Sequence, residues 1–287
     1  MVMLIEKLAP LIPDKPYLKL KFRLVMGSWP NLNNPQTFNE KLQWLKLYNR
    51  CPQYTLMVDK VKVKKYVAEI LGEEYVIPTL GVWDNPNDID FDALPNRFVL
   101  KCNHNSGTGM CICKEKSKLN IPRVKAALRK GLKENYYLHG REWPYKNVPR
   151  KILAEQFIED KNGAELLDYK LMCFNGKVYC TFVCGDRFSD DGLKVTFYDR
   201  EWKRLPFTRH YPNLTRDVPR PKRYEQMIEF AEKLSEGLPF ARIDFYEIDG
   251  RLFFGEITFF PGSGMEEFSP EEYDKILGDL ITLPYKS

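Results

Sequence analysis

Apolar residues recur with a helical period in the first quarter of the chain and with a strand period after it. Thr37 and Glu40 have the spacing of a capping box, and the apolar residues that follow lie on one face of a predicted helix. A second helix is predicted over residues 55–71. Residues 1–36, rich in proline and asparagine, predict an irregular segment. The pattern therefore predicts an N-terminal helical region over residues 1–74.

From residue 75 onward, short β-type runs alternate with loops and a few helices. Residues 75–150 hold three such runs and a helix of mixed charge over residues 120–136. Residues 151–287 hold further strands, with tight turns at Asn175–Gly176 and Asp249–Gly250. These patterns predict an α+β fold with largely antiparallel sheets, divided into a small lobe over 75–150 and a large lobe over 151–287.

The composition suits a globular protein without a nucleic-acid partner. Of the 287 residues, 44% are apolar and 14% aromatic, enough for a sizeable core. The 44 Lys and Arg against 39 Asp and Glu give a net charge of +5, which is small and dispersed, and no nucleic-acid-binding motif occurs. Seven irregularly spaced cysteines predict buried free thiols in a reducing compartment. We therefore expect a cytoplasmic protein.

The sequence does not predict a membrane-spanning helix. No stretch has the roughly 18–20 uncharged apolar residues that such a helix needs. Basic residues at Lys15, Lys19, Lys21 and Arg23 leave a peripheral contact with anionic lipid open, beside the simpler interpretation of a solvated face.

Charged residues interrupt two predicted strands on either side of the Asp249–Gly250 turn. Arg242 and Asp244 point to one face of the first strand, and Glu256 and Thr258 share a face of the second. Pairing about the turn places Asp244 opposite roughly residue 255, and either a one-residue bulge or the pleat of the strand brings Glu256 within reach. Two neighbouring carboxylates indicate a Mg²⁺ site, because hard oxygen ligands select that ion. A solvated face with cross-strand pairing to Arg242 is the alternative.

A lysine and a glycine loop form the second candidate site. Lys101 ends a strand and precedes a loop over residues 102–109 that contains Ser106 and Gly107. A lysine beside a loop of backbone N–H donors suits a polyphosphate, and an ordinary hairpin turn is the alternative. Neither a P-loop nor a dinucleotide fingerprint occurs. Three more charged residues stand beside apolar runs, where surface positions are the alternative: Lys60, Glu155 and Lys170.

The order of these residues along the chain resembles the ATP-grasp superfamily. Five stretches are, more narrowly, similar to the TupA-like ATP-grasp family: PQTFNEKLQWLKLYNR, VDKVKVKKYV, LPNRFVLKCNHNSG, YKLMCFNGK and FGEITFFPGSG. Together they extend the resemblance from about residue 15 to residue 280. The resemblance implies a fold in which two α+β lobes with largely antiparallel sheets enclose ATP.

The resemblance also implies roles for individual residues at the nucleotide. Lys60 and Lys101 would contact the phosphates of ATP, Lys170 would lie near them, and the loop with Ser106 and Gly107 would cover them. The other implied contacts are a hinge whose backbone reads the adenine edge, formed by Glu155, Gln156 and Phe157, and a ribose contact from Asp168.

At the reaction centre, the resemblance implies Mg²⁺ held by Asp244 and Glu256, with Arg242 facing the reacting atoms. Thr258 stands where many ATP-grasp enzymes have asparagine, and would act on the metal through water. Arg187 would bind the carboxylate of the acceptor or the γ-phosphate. Lysines, Lys101 among them, and Arg242 would offset the charge of the acyl phosphate.

The activity that the resemblance implies is ADP-forming carboxylate–amine ligation through an acyl phosphate. Family context makes the carboxylate a uronic acid or another carboxylated sugar of a surface polysaccharide, such as a capsule, or of its nucleotide-sugar precursor. The amine is then an amino acid or a small amine. A glycosyltransferase of polysaccharide biosynthesis and an ATP-binding phosphotransferase stay open. A glycosyltransferase would need a nucleotide-sugar site, for which the acidic runs at 88–92 and 244–249 give poor support. A phosphotransferase could lack the paired metal site, whereas both Asp244 and Glu256 are present.

Overall fold

Helices dominate the N-terminal part of the chain and strands the rest. The structure, a computed structural model, describes residues 2–160, 166–186 and 192–285. The helices are α1 (Val2–Lys7), α2 (Asp14–Met26), α3 (Phe38–Tyr48), α4 (Pro52–Val58), α5 (Lys62–Leu71), α6 (Ile121–Lys133), α7 (Tyr136–Gly140), α8 (Tyr224–Leu234) and α9 (Glu272–Asp279). The strands are β1 (Thr79–Trp83), β2 (Phe98–Cys102), β3 (Met110–Cys113), β4 (Ile152–Gln156), β5 (Asp168–Phe174), β6 (Lys177–Gly185), β7 (Lys194–Tyr198), β8 (Thr208–Arg209), β9 (Phe240–Ile248), β10 (Arg251–Thr258) and β11 (Phe268–Ser269).

Two antiparallel sheets carry most of the strands, which confirms the predicted α+β class. Within the described residues, one sheet has four strands in the order β1–β4–β2–β3 and the other has five in the order β10–β9–β5–β6–β7. Strand β4 lies inside the four-stranded sheet, although the predicted large lobe begins at residue 151. By strand pairing, the first sheet therefore extends to residue 156, and the lobe boundaries stay a prediction.

Each sheet packs on its own apolar core. The larger core joins the five-stranded sheet to α3, α4, α5 and α8, with Phe38, Leu171 and Phe245 buried in it. The smaller core joins the four-stranded sheet to α6 through Leu100 and Leu128. All seven cysteines are free and five are buried, as predicted.

The predicted irregular segment over residues 1–36 is wrong, because α1 and α2 lie within it. Proline at position 16 occupies the first turn of α2, where its missing N–H needs no helical partner. Tyr17, Leu18 and Phe22 bury one face of the helix, which ends at Gly27 with a φ of 75°. Here proline marks the start of a helix rather than its absence.

The basic residues predicted to leave a lipid contact open lie on helix α2. Among the described residues, every helix is too short or too polar to span a lipid bilayer. Lys21 forms an ion pair with Glu6 at 2.7 Å. The ammonium groups of Lys15 and Lys19 lie 6.0 and 5.9 Å from the centroids of aromatic rings. Local partners thus engage much of the basic patch, and its contact with lipid stays a prediction.

The helix predicted over residues 55–71 is interrupted at residues 59–61, which separate α4 from α5. The side chain of Asp59 accepts hydrogen bonds from the backbone N–H of Val61 at 3.0 Å and of Lys62 at 3.4 Å. It thereby satisfies donors at the start of α5 that have no helical partner. The interruption leaves Lys60 outside both helices.

The β9–β10 hairpin contains the predicted bulge. The register shifts between Phe254 and Ile257, so Gly255 and Glu256 both stand opposite Asp244. A Cβ at position 255 would lie 3.1 Å from the backbone oxygen of Asp244 and 3.2 Å from its Cβ. A side chain at position 255 would therefore crowd Asp244. The bulge brings Glu256 to the face that carries Asp244.

Candidate active site

Arg242 lies between two carboxylates at the bulge. Its Nε and Nη2 donate to the two oxygens of Asp244, each at 2.7 Å, and Nη2 also donates to Glu256 Oε1 at 2.8 Å. Burial would lower the pKa of Arg242, but the two carboxylates raise it above its usual value, so the guanidinium stays charged. The cross-strand pairing considered as an alternative is thus present, and it holds the carboxylate pair together.

Glu256 differs from Asp244 in its exposure. The side chain of Asp244 is 1% exposed and that of Glu256 is 38% exposed. Burial would raise the pKa of Glu256, but Arg242 and nearby lysines lower it to about 2, so an ionised carboxylate faces the open space beside the sheet. Thr258 donates to Glu256 Oε1 at 3.4 Å. In the part of the chain that the structure describes, no group of three or more His, Cys, Asp or Glu side chains is placed to hold a metal ion. The Mg²⁺ site stays a prediction.

The neighbouring strand β5 adds Lys170, which pairs in register with Asp244. The Lys170 ammonium forms ion pairs with Asp244 and, at 2.6 Å, with Asp168. Burial would lower the pKa of Lys170, but these carboxylates raise it. Asp168, predicted to contact ribose, is therefore engaged with Lys170 in the same cluster.

A second charged group lies on the four-stranded sheet around Glu155. This buried carboxylate forms ion pairs with Lys101 and, at 2.6 Å, with Lys64. Burial would raise the pKa of Glu155, but the two lysines lower it. Sequence reasoning missed Lys64, which also donates to the carbonyl of Ile77 at 2.5 Å. It stands in a lysine-rich helix, where no local signal separates it from its exposed neighbours.

The two residues that follow Glu155 lie at the edge of this group. Gln156 is exposed, and its backbone N–H donates to the carbonyl of Pro78 at 3.0 Å. The ring centroid of Phe157 lies 4.5 Å from the guanidinium of Arg97. Their predicted contact with adenine stays a prediction.

Asn103 fastens the glycine loop to the break between α4 and α5. Its Nδ2 donates to Asp59 at 2.8 Å, and its backbone carbonyl accepts from the N–H of Lys60 at 3.2 Å. The Lys60 ammonium donates to the carbonyl of Asn105 at 2.7 Å, and burial lowers its pKa. Lys60 is thus tied to the loop through both its backbone and its side chain.

A narrow cleft separates the two charged groups. Lys60, Lys101 and Glu155 line one side, and Gly255 and Glu256 line the other. Its volume of about 20 Å³ has room for about one water molecule. Glu155 and its two ion-pair partners, Lys64 and Lys101, all line this space, so a larger ligand requires side chains at the cleft to move.

A larger cavity, with a volume of about 300 Å³, opens on the other side of Glu256. Arg242, Thr258 and the exposed loop residue Ser106 line it on the side of the charged cluster. Gly107, with a φ of 82°, follows at the exposed tip of the loop. The opposite wall comes from α2, α7 and the segment after β10, and includes Lys21, Tyr136, His139, Glu142, Tyr145 and Ser263.

Seven of the fourteen predicted site residues line the cleft or the cavity beside it: Lys60, Lys101, Ser106, Glu155, Arg242, Glu256 and Thr258. Arg187, predicted to bind the acceptor or the γ-phosphate, lies outside the described residues. Sequence reasoning missed Glu142 and Lys46, which are buried charged residues at the larger cavity and behind it. Both stand among polar and aromatic neighbours in the sequence, and only the tertiary contacts show that they are buried.

Comparison with solved structures shows distant likenesses. The chain is similar to a D-alanine–D-alanine ligase from Bacillus anthracis complexed with ATP, with 16% identity and a TM-score of 0.43 over 79% of this chain and 63% of that one. It is also similar to a D-alanyl-alanine synthetase A from Vibrio cholerae, with 14% identity and a TM-score of 0.48 over 86% of this chain and 69% of that one. The chain therefore spans a little under two thirds of the first structure.

Comparison with protein families is more specific. A search of curated proteins found no match. The family model described as TupA-like ATPgrasp matches residues 40–282, which is most of the chain. The matched range includes both charged groups, the glycine loop and the hairpin with its bulge. The chain therefore belongs to the TupA-like ATP-grasp family.

Proposed function

We propose that the protein is an ATP-dependent, ADP-forming carboxylate–amine ligase that acts through an acyl phosphate. The observation that carries this proposal is the position of Glu256, which lines both the cleft with its lysines and the larger cavity. Arg242 lies beside it on the cavity side. A nucleotide in the cleft would present its terminal phosphate to a substrate in the cavity next to one carboxylate and one guanidinium.

Lysines at the cleft would hold the phosphates of ATP. Lys60 and Lys101 line the cleft, and Lys101 would exchange its ion pair with Glu155 for one with phosphate. Lys170 would add charge from the opposite sheet, and the exposed loop tip at Ser106 and Gly107 would cover the phosphates through backbone N–H donors. The remaining contacts would be a hinge at the adenine edge from Glu155, Gln156 and Phe157, and a ribose contact from Asp168.

Asp244 and Glu256 would hold Mg²⁺, with Thr258 acting through water. The donor set fits in its chemistry, because these are hard oxygen ligands on adjacent strands and the Glu256 carboxylate is ionised and partly open. Asp244 would exchange a contact with Arg242 or Lys170 for the ion. Mg²⁺ usually takes one or two carboxylates together with phosphate oxygens. When bound, the ion would neutralise phosphate charge.

The chain's own residues would act by position and charge. The substrate carboxylate takes the γ-phosphoryl group, ADP leaves, and the amine then displaces phosphate from the acyl carbon. Such reactions depend on orientation and on preorganised charge. Arg242 and Lys101 are cations already held in place by ion pairs, and Arg187 is a further candidate for the acceptor. Loss of one such donor typically costs ~3–4 kcal/mol of transition-state stabilisation.

The proposed carboxylate is a uronic acid or another carboxylated sugar of a surface polysaccharide, such as a capsule, or of its precursor. The proposed amine is an amino acid or a small amine. The cavity volume of about 300 Å³ suits a small ligand, and Tyr136, Tyr145 and Phe260 supply aromatic surface for a sugar ring. Free buried thiols support a cytoplasmic location.

The test is substrate-dependent release of ADP. The full chain, incubated with ATP, Mg²⁺, glucuronate or galacturonate and a pool of amino acids, should release ADP only when acid and amine are both present. Lys101→Met should lower this rate by about 100-fold or more. Lys114→Met is the matched control, because Lys114 is exposed just after β3 and outside both cavities, and it should retain the rate.

Three outcomes would contradict the proposal. Calorimetry that detects no ATP binding in the presence of Mg²⁺ would exclude the nucleotide site. Release of UDP from a UDP-sugar in the absence of ATP would indicate a glycosyltransferase. Transfer of phosphate to an acid or alcohol with a stable phosphorylated product, and no dependence on amine, would indicate a phosphotransferase.

A further inference from the structure

Glu142 is a buried carboxylate in the wall of the larger cavity, to which Glu256 also contributes. The residue is 6% exposed, and it follows Arg141, whose φ of 53° turns the chain. The Arg141 guanidinium donates to the carbonyl of Ile12 at 2.9 Å and lies 4.3 Å from the ring centroid of Tyr17. The N-terminal helices therefore fix the turn that places Glu142 at the cavity.

Lys46 and Ser263 stand behind Glu142 in a chain of hydrogen bonds. Lys46 is fully buried and donates to Gln43 Oε1 at 2.9 Å, to the Ser263 carbonyl at 2.7 Å and to Ser263 Oγ at 3.0 Å. Because Ser263 Oγ accepts from Lys46, its own O–H is available to the Glu142 carboxyl, to which it is hydrogen-bonded. Ser263 has a φ of 55°, which costs a non-glycine residue about 1–2 kcal/mol.

The other charged groups around Glu142 have partners of their own. Lys21 donates to Glu6 at 2.7 Å and to the carbonyl of His139 at 2.6 Å. His139 Nε2 lies 3.1 Å from Glu134. Two tyrosines also face Glu142 and stay uncharged, because burial raises their pKa values: Tyr136 and Tyr145.

Burial disfavours the charged form of both Glu142 and Lys46. Burial raises the pKa of Glu142, and Lys46 opposes that rise. Burial also lowers the pKa of Lys46 to about 7, and Glu142 opposes that fall. Burial thus favours the protonated form of Glu142, so a proton accepted there from a bound ammonium group would remove a buried negative charge. Glu256, the other carboxylate of the cavity, already accepts from Arg242.

We propose that Glu142 binds the ammonium group of the amine substrate in the larger cavity and accepts one of its protons. This assignment rests on the proposed ligase function. The free amine nitrogen then forms a bond to the acyl carbon, and the bond from that carbon to the phosphate oxygen breaks. Phosphate leaves with the second proton of the nitrogen, and the first proton stays on Glu142.

The test compares two small nucleophiles with the full chain, ATP, Mg²⁺ and a uronic acid. Ammonium must lose a proton before it attacks, whereas hydroxylamine is largely uncharged at neutral pH. Glu142→Gln should lower ammonium-supported ADP release at pH 7 by about 100-fold or more and leave hydroxylamine-supported release within about threefold of wild type. The ammonium-supported rate of the variant should rise about tenfold for each pH unit, as free ammonia becomes available.

Glu266→Gln is the matched control. Glu266 pairs with buried Arg209 at 2.8 Å, close to the same loop but outside the cavity, and its loss should change both rates equally. Equal losses with both nucleophiles in Glu142→Gln, or no loss with either, would overturn the assignment and leave the ligase standing. No ADP release by wild type with any acid and either nucleophile would overturn the proposed function and the assignment with it. If Glu142→Gln does not fold, Glu142→Asp should lower the ammonium rate more than the hydroxylamine rate, and equal effects would again overturn the assignment.

Discussion

Asp244 and Glu256 should separate stability from nucleotide binding, because one is buried and the other is partly exposed. Asp244→Asn removes a charge that accepts hydrogen bonds from Arg242 and Lys170. Removing one partner of a buried ion pair typically lowers the free energy of unfolding by about 3–5 kcal/mol. Asp168 and Glu256 still hold the two cations in this variant, so we expect the lower end of that range, about 3 kcal/mol. At about 2–4 °C for each kcal/mol, the melting temperature should fall by roughly 6–12 °C.

Glu256→Gln is the matched variant on the adjacent strand. Its side chain is 38% exposed, so the loss of its ion pair should cost about 1 kcal/mol or less. Both variants should nevertheless weaken Mg²⁺-dependent ATP binding by about tenfold or more, because both lose a proposed ligand. Differential scanning calorimetry measures the first effect and isothermal titration calorimetry the second. Equal melting temperatures would refute the buried ion network, and wild-type affinity for ATP in both variants would refute the metal assignment.

Three further predictions follow from the same contacts. The pKa values of Glu155 and Glu256 are lowered in the folded protein, to about 2 for Glu256. Their contribution to stability is therefore fully present above about pH 4.5 and is lost as the pH falls through the folded pKa values. Glu256→Gln should make the unfolding free energy fall less steeply below pH 4.5. Thr258→Asn should lower the Mg²⁺ concentration that half-saturates ATP binding, since an amide oxygen ligates the ion better than a hydroxyl; an unchanged value in calorimetric titrations would count against a role for Thr258 at the metal. Asn103→Leu releases the glycine loop from Asp59. It should lower the free energy of unfolding, measured with a chemical denaturant, by about 1–3 kcal/mol and should also weaken ATP binding. A loss of stability with unaltered affinity for ATP would show that the position of the loop does not matter for the nucleotide.

Local signals predicted those parts of the fold that depend on neighbours in the sequence. The capping box at Thr37 and Glu40 forms as expected, since both partners lie within one helical turn. The proximity of Asp244 and Glu256 also follows from a local feature, the tight turn at Asp249–Gly250, and the structure achieves it by a bulge. The capping box and the hairpin both depend on contacts between residues that are close in the sequence.

Sequence reasoning failed where distant residues decide the outcome. The break between α4 and α5 comes from Asp59, whose side chain is fixed by Asn103 of the glycine loop. Lys64 and Lys46 look like ordinary helical lysines, and only the fold gives them Glu155 and Ser263 as partners. Helical periodicity indicates which positions face the core. It does not reveal whether a charged side chain at such a position has an ion-pair or hydrogen-bond partner in the fold.

The strand order of the four-stranded sheet has a consequence for how the chain folds during synthesis. Strand β4 separates β1 from β2, so β1 has no partner in this sheet until residue 156 has been made. Residues 84–151 of the nascent chain therefore emerge after β1 and before β4, which pairs Glu155 with Thr79. Contacts so distant in sequence form slowly. Until then the β2–β3 hairpin exposes an unpaired strand edge, which a chaperone would protect from aggregation.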